Sequence, residues 1–430
     1  MKIAHVTEYC HAGSTGGTER YIHDLALGLN HLGRDNEIIW MTPSPVPPDR
    51  LGGEIPIRNL PRSDMRVDDP PLELDRLVRE WLSGPNKPDL LHFHTFGRSE
   101  AVLAEAATGH HVPYVFTYHS PAWSCRRETL LRWGKEVCDG EVLTQRCAAC
   151  KVQERLGGPA WLGYAGAAAS RVAGPFIPKG PWHRRLAFTP DTARYRAALR
   201  HFLNKCALSV ACAEWSIPVL LVNGVRRENL LHLPQGVPVG FTTVTGAPPP
   251  SDTFTIGSIG RMNEVKGLHI LIEAFRRLTH PPARLRVCGW SDTPQLAVYG
   301  RLLKRLAGDD ARIAFIPEQS PSDMQAEYAR LSLLAIPSVW METGPLTLLE
   351  ALQSGVPVYG SSHIGQRALL ERYGKVIEPN TPDAWALALS DACRMYEQDR
   401  WSRVILAEPL PTMASVAARM DRAYRELLAS

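Results

Sequence analysis

Strand-like and helix-like segments take turns along most of this 430-residue chain, and that alternation limits its fold more than any other feature. KIAHVTE reads as a buried first strand, followed by the Gly-rich turn HAGSTGGTE. RYIHDLALGLNHLG places Ile22, Leu25, Ala26 and Leu29 on one helical face, with Gly33 as the stop. EIIWMT, PDLLHFHT and VPYVFTYHS read as further strands, with LELDRLVREWL and AVLAEAATGH as helices among them. Such repetition gives parallel sheets with helices on both faces. Ligands of such sheets collect outside the carboxyl ends of the strands.

The length exceeds one ordinary core and predicts two domains. The Pro-rich stretch TGAPPPSD has little to bury and reads as the junction. The expected division is a domain over residues 1–246, a second over 251–410, and a last helix over 411–430. In the second half FTIGSIGRMNEVKG reads as a strand and a tight turn, LHILIEAFRRL as a helix, and RLRVCGW, ARIAFIP and LLAIPS as strands. The helix in DMQAEYARL is expected to start after Ser322-Asp323 as N-cap. No repeat of 20–50 residues is visible. A stretch at about 120–197 breaks the rhythm of the first half. Residues 126–200 hold 14 Lys/Arg against 6 Asp/Glu, a net +8 in a chain whose total is +4, so the rest carries −4.

That overall charge is too mild to argue for nucleic acid. MKIAHV lacks the apolar core of a secretory signal. No uninterrupted apolar run approaches the roughly 18 residues that span a bilayer. The best candidate, ALSVACAEWSIPVLLV, is broken by Glu214 and Pro218. These features predict a cytoplasmic protein that can touch the inner face of a membrane without crossing it.

The segment Ile336 to Val358, IPSVWMETGPLTLLEALQSGVPV, carries the most chemistry. It reads strand, loop, helix, strand. Gly344, Pro345 and Leu346 mark a helix start, where unpaired amides and the positive dipole end receive phosphate. Glu342 just outside and Glu350 inside the helix can accept hydrogen bonds from sugar and ribose hydroxyls. One short segment could thus grip a sugar, a phosphate and a ribose. Upstream, Gly260-Arg261…Lys266-Gly267 brings two cations to a strand end, a planar fork and a point charge suited to a diphosphate. His119 ends a strand and would face the ligand side. His94 has a similar placement, whereas His92 reads as packing. Gly16 and Gly17, preceded by Gly13 and Ser14, open the first helix without forming the dinucleotide fingerprint.

Cys125, Cys138, Cys147 and Cys150 form C-x12-C-x8-C-x2-C. Four thiolates suit a tetrahedral structural zinc with no open position for catalysis. Two labile disulfides, an iron–sulfur cluster or free thiols remain alternatives. The segment at about 156–188 is apolar, aromatic and basic, with Trp161, Tyr164, Phe176 and Trp182. It can lie in the interface of an anionic membrane or simply cover the domain core.

The Glu342–Glu350 pair in its context resembles the Glu-x7-Glu signature of family 4 retaining glycosyltransferases, and the likeness extends over nearly the whole chain outside 120–197. It implies a GT-B fold: α/β, two Rossmann-like domains facing a cleft, here with a Cys-rich basic insertion in the N-terminal acceptor-side domain. It implies a retaining, metal-independent transferase moving a sugar from a nucleotide-diphosphate sugar of unspecified base to a hydroxyl acceptor, such as a lipid-linked one, in surface polysaccharide or glycolipid synthesis. By the same likeness, Arg261 and Lys266 stabilise the departing diphosphate. Glu342 and His119 orient the sugar, and Glu350 holds the ribose. Amides near Gly344–Leu346 bind phosphate. Gly16 and Gly17 let the backbone approach donor phosphate or acceptor. A terminal helix packing back on the first domain is also a family trait, and some members carry a comparable Cys-rich insertion. Three departures stand out: Gln235-Gly236 for the usual Asn-Gly, Thr343-Gly344-Pro345 for an aromatic-Gly pair, and Ile364-Gly365-Gln366-Arg367 for Gly-Gly-x-Glu. The alternatives are a sugar-nucleotide epimerase or phosphorylase on the same fold, and a zinc-containing nucleic-acid-binding protein. The last lacks a recognisable recognition helix.

Overall fold

In this computed structural model the described residues are 1–8, 16–42, 50–51, 55–61, 72–177, 186–241, 253–279, 283–290 and 297–429. They divide into two compact units, one of Met1–Pro234 with Met413–Ser430, the other of Gln235–Thr412. The division falls ahead of the Pro-rich stretch, which lies outside the described residues.

The first unit is built on β1 (Lys2–Thr7), β2 (Asp35–Thr42), β3 (Arg50–Leu51), β4 (Ile55–Pro61), β5 (Leu90–Phe93), β6 (Tyr114–Tyr118), a small ribbon of β7 (Leu131–Arg132) and β8 (Glu136–Val137), then β9 (Leu208–Ala211) and β10 (Leu230–His232). The main sheet runs β10-β9-β6-β5-β1-β2-β4-β3. Its pairs are parallel except at the β3–β4 edge. The central strands are apolar on both faces, as burial under helices on each side requires: Ile3, Val6, Leu90, Leu91, Phe93, Val115 and Phe116 are buried. The helix Met413–Ala429 packs against the helix Gly17–His31. Gly28 permits the approach, since a Cβ there would lie 2.6 Å from the Ala417 Cβ. Arg34 closes the contact with two bonds to Asp421, Nε–Oδ1 at 2.5 Å and Nη2–Oδ2 at 3.1 Å.

The stretch between β6 and β9, whose sequence lacks strong periodicity, contains regular structure. Helices Thr144–Leu156 and Ala160–Ala173 pack on each other and on the helix Phe188–Lys205. Small residues explain why apolar spacing did not show it. Ala148, Ala149 and Ala167 form the buried seam. Gly163 meets the Ala149 carbonyl so closely that a Cβ would overlap it.

The second unit is a parallel six-stranded sheet of β11 (Phe254–Ile259), β12 (Ala283–Trp290), β13 (Ile313–Pro317), β14 (Leu333–Ile336), β15 (Val358–Ser361) and β16 (Gly374–Ile377), in the order β13-β12-β11-β14-β15-β16. The helices Leu268–Arg276 and Pro382–Glu397 pack together over one part of its core, around the buried Trp385. The helix Pro321–Ala329 corrects the expected cap. Its N-cap is Ser320, whose hydroxyl accepts from the Asp323 amide, and Pro321 takes the first helical position with its preset φ.

Candidate functional site

In the second unit the chemistry gathers after three strand ends. β11 delivers Gly260 at φ +148°, then Arg261. Arg261 is exposed, and among the described residues its guanidinium has no side-chain partner. The chain continues through a 3-10 turn, Glu264–Lys266, held by the Asn263 side chain accepting from the Val265 amide. Gly267 follows in the left-handed region at φ +69°, and a Cβ there would overlap the Pro337 carbonyl oxygen. This position presses the 264–267 loop against the loop after β14. The Val339 amide donates to the Val265 carbonyl at 2.9 Å.

The consequence is an ion pair across 76 residues of sequence: Lys266 Nζ donates to Glu342 Oε1 at 2.9 Å. Glu342 is 4% exposed and also accepts from the Ser338 hydroxyl. Burial pushes its carboxyl up, but the Lys266 ammonium and the Ser338 bond outweigh that and hold it below the ordinary carboxylate value. The loop carrying Glu342 is itself tied down. The Ser338 carbonyl accepts from Ser361 Oγ at 2.7 Å and from Asn380 Nδ2 at 3.0 Å, and Asn380 Oδ1 accepts from Trp385 Nε1 at 2.7 Å. The Trp340 ring lies 5.8 Å from Lys266 Nζ.

Beyond Gly344 the helix Leu346–Gln353 begins at Pro345 as N-cap, with no side chain capping its first amides. Inside it, Glu350 Oε2 accepts from the buried Tyr328 hydroxyl at 2.6 Å. Gln366 lies 3.4 Å from where a Gly344 Cβ would be, and its Nε2 donates to the Gln235 carbonyl at 3.3 Å. All three departures from the family pattern therefore meet at Gln366. The side-chain oxygens of both glutamines are buried without a hydrogen-bond partner among the described residues.

In the first unit, His119 follows β6 and is 6% exposed. Its Nε2 lies 3.0 Å from His94 Nδ1, and His94 Nε2 lies 3.1 Å from His5 Nδ1. His92, read as packing, is buried and also bonded, with Nε2 2.7 Å from Thr117 Oγ1 and Nδ1 2.6 Å from the Tyr424 hydroxyl. Ligand atoms of His5, His92 and His94 lie within 4.8 Å of one another, as a metal site requires. Yet each of their six ring nitrogens already faces a hydrogen-bond partner, Asn36 being the sixth. The group is a hydrogen-bonded cluster with no lone pair left over for a cation. Gly17 opens the first helix with Gly16 as N-cap, and a Cβ at Gly16 would overlap the Glu19 carboxylate. That helix start already has an anion beside it. Gly13 and Ser14 lie outside the described residues.

Cys125, Cys138, Cys147 and Cys150 are free and partly buried. Cys147 and Cys150 sit on one helix, Cys138 follows the β7–β8 ribbon, and Cys125 precedes it. Burial raises the thiols of Cys138, Cys150 and Cys147, the last to about 11, and the nearby Cys125 adds to each rise. The Trp133 amide points at Cys150 Sγ from 3.4 Å. Glu128, Leu130 and Trp133 all hold positive φ, a strained run for such bulky residues.

The sequence singled out the charged residues but missed those that aim them: Ser338, Asn380, Tyr328, Asn36 and His5. Only His5 carried a readable signal, as a polar residue among the apolar Ile3, Ala4 and Val6 of its strand.

Two family profiles match the chain, Glycosyl transferases group 1 over residues 246–403 and Glycosyltransferase Family 4 over residues 15–150. A curated relative, D-inositol 3-phosphate glycosyltransferase of Corynebacterium glutamicum, is 28% identical over 196 residues, 42% of this chain and 45% of the relative. The chain thus spans less than half the length of that relative. Sucrose-phosphate synthase from Thermosynechococcus elongatus superposes with a TM-score of 0.67 at 16% identity, covering 100% of this chain and 99% of that one. The Anabaena protein HepE in complex with UDP and glucose gives 0.63 at 17% identity, covering 100% and 99%. These likenesses identify the fold as GT-B.

Proposed function

The chain belongs to glycosyltransferase family 4, and on that footing we propose that it transfers a sugar, with retention, from a nucleotide-diphosphate sugar to a hydroxyl acceptor. The observation that carries this reading is the pair of half-buried Lys266 with buried Glu342 beside an uncapped helix start, with Glu350 one turn further in. Arg261, exposed and uncommitted among the described residues, meets the diphosphate first. Lys266 then shares its charge between Glu342 and the phosphate oxygens. Glu342 turns part of its hydrogen-bonding capacity to the sugar hydroxyls. The amides at Gly344–Leu346 take a phosphate, and Glu350, steadied by Tyr328, takes the ribose. His119 bonds a sugar hydroxyl. Charge develops on the leaving diphosphate, so cations fixed there act where transition-state stabilisation matters most. The acceptor hydroxyl attacks from the leaving-group side and passes its proton to the departing phosphate oxygen. Gly16 and Gly17 suit an acceptor hydroxyl better than a phosphate, because Glu19 would repel the latter.

HepE is described as binding UDP and glucose, which makes UDP-sugars the first donors to try. A thermal-shift screen of nucleotide-sugars tests donor binding. Product analysis with and without acceptor tests the reaction. A stabilising donor that is consumed only with an acceptor supports transfer. Consumption without one points to an epimerase, and consumption only with inorganic phosphate to a phosphorylase. Turnover should persist in EDTA; complete loss rescued by Mg2+ would overturn the metal-independent reading.

Two further roles belong to the segment between β6 and β9. The four cysteines suit a structural zinc by donor type: Cys125 lies near enough to raise the other three thiols, one sulfur already receives an amide, and burial keeps three of them protonated without a cation, but no three of the sulfurs lie within 4.8 Å of one another, so zinc would have to draw them together. Zinc would make all four thiolates and hold the segment together. Metal analysis of the purified protein should find about one zinc per chain. None, in protein with free thiols, would refute it. On the adjacent helices Trp161 is 66% and Phe176 85% exposed, with Leu156 and Val172 also exposed. Among the described residues no helix is long and apolar enough to cross a membrane. This face is proposed to rest on an anionic bilayer that carries a lipid-linked acceptor.

A further inference from the structure

The first sheet carries a chain of hydrogen bonds across four adjacent strands, from Asn36 on β2 through His5 on β1 and His94 just after β5 to His119 just after β6. Its polarity is fixed at one end. Asn36 Nδ2 lies 3.2 Å from the Arg34 carbonyl, 2.7 Å from Asn30 Oδ1 and 3.4 Å from the Ala26 carbonyl. All three are oxygens, so the amide nitrogen must face them and Oδ1 must face His5. An oxygen there only accepts. His5 Nε2, 3.3 Å away, therefore carries the proton.

All the rings involved are neutral. Burial lowers His5 to about 4 and His119 to about 3, and pushes His92 and His94 well below the ordinary value. A neutral imidazole has one N–H. With its proton on Nε2, His5 offers a bare Nδ1, which must receive the proton of His94 Nε2. His94 then offers a bare Nδ1, which must receive the proton of His119 Nε2. Each step follows from the one before.

We propose that Asn36, with His5 and His94 as positioning residues, fixes His119 as the Nε2–H tautomer and leaves its Nδ1 as the ring atom without a proton. Any group that meets Nδ1, of the protein or of a ligand, must then donate. A hydroxyl or N–H can do so, and a carboxylate would set lone pair against lone pair. Where His119 meets the donor sugar, which rests on the function proposed above, this position favours a hydroxyl-bearing hexose over a uronic acid.

The test reads the tautomer directly. Long-range 1H–15N correlation spectra of histidine-labelled protein near neutral pH distinguish protonated from bare ring nitrogens, with His119→Gln assigning the His119 signals. The expected result is Nε2–H for His5, His94 and His119, with the His119 form in at least ~10-fold excess, since the reversed chain would set the bare His5 Nε2 against Asn36 Oδ1, lone pair to lone pair. An Nδ1–H or doubly protonated His119 overturns the proposal. Asn36→Leu removes the acceptor that orders the chain, and either order then leaves one His5 ring nitrogen unpaired, so His119 should appear as a mixture of Nε2–H and Nδ1–H. His5→Phe makes the same prediction and leaves the Asn36 bonds to Ala26, Asn30 and Arg34 in place. A folded variant of either kind whose His119 keeps the full wild-type excess of one tautomer also overturns it. The spectra need no substrate. A protein without transferase activity can still show the ordered chain, and an active one can lack it.

Discussion

The two units solve the same problem of placing polar groups at the ends of buried strands, and they do it by opposite means. The first lines neutral rings into a directional chain whose members are held by one hydrogen bond after another. The second buries a carboxylate beside an ammonium, gives it the Ser338 hydroxyl as a second donor and fixes the Ser338 loop through Asn380. A neutral chain avoids the desolvation of a buried ion and supplies direction. An ion pair carries a larger desolvation cost and supplies charge that a second anion can recruit. A diphosphate needs the second device, whereas selection of a hydroxyl needs only the first.

The sharpest way to break this contrast is Lys266→Ala. Turnover should fall at least ~100-fold, as for loss of a donor aimed at developing charge. The same change leaves Glu342 buried without its cation. Its carboxyl, now held below 4.5 chiefly by Lys266, should rise above that value as burial takes over. Glu342→Gln should relieve part of the stability loss but not the rate loss. Near-normal turnover in Lys266→Ala would remove the lysine from the chemistry. A stability loss that Glu342→Gln does not relieve would mean the two are not coupled.

Acid separates the units next. Histidines kept neutral by burial have folded pKa values below their unfolded value of 6.5, so the unfolded state binds more protons as pH falls. Their contribution is complete above 6.5 and is lost as pH drops from there toward about 4 for His5. The opening equilibrium of the first sheet should grow up to ~10-fold per pH unit for each histidine released. Glu342 has the same sign in a lower window. Its depressed folded pKa gives stability that is present above 4.5 and lost only below it. Hydrogen exchange by mass spectrometry from pH 7 to 5 should therefore show β1, β5 and β6 opening while β11 and β14 stay protected. Equal loss in both sheets, or earlier loss in the second, would undo the comparison.

How much of this was legible follows from which forces act locally. Strand and helix patterns report burial over a few neighbours, so the parallel sheets and the helix start at Pro345 could be read. Lys266 and Glu342 were both read as site residues but assigned to different parts of the ligand. Their contact depends on Gly267 adopting positive φ under the Pro337 carbonyl, which no spacing reports. The Ala- and Gly-rich helices between β6 and β9 stayed hidden because close backbone packing, not large apolar side chains, joins them. The histidine chain was half visible: His94 and His119 were read as residues at strand ends. His5 and Asn36 join it only through the strand order β6-β5-β1-β2, a long-range fact.

Tyr328 gives the smallest and most specific effect. The sequence offered it as one residue of a helix with no marked role, yet its hydroxyl holds Glu350 Oε2 at 2.6 Å. Burial and the adjacent carboxylate both push the phenol well above its ordinary value, so it stays protonated and remains the donor. Tyr328→Phe keeps the ring, with its edge contact to Phe241, and removes only that proton. A hydrogen bond to a charged group is worth about 1.5 kcal/mol or more, so donor KM should rise roughly tenfold. If Glu350 grips the ribose equally in ground and transition states, kcat should not move. A fall in kcat at constant KM would instead place Glu350 in the reaction itself. No change in either would mean that Glu350 keeps its orientation without the phenol, and that the second unit is less dependent on single directional bonds than the histidine chain of the first.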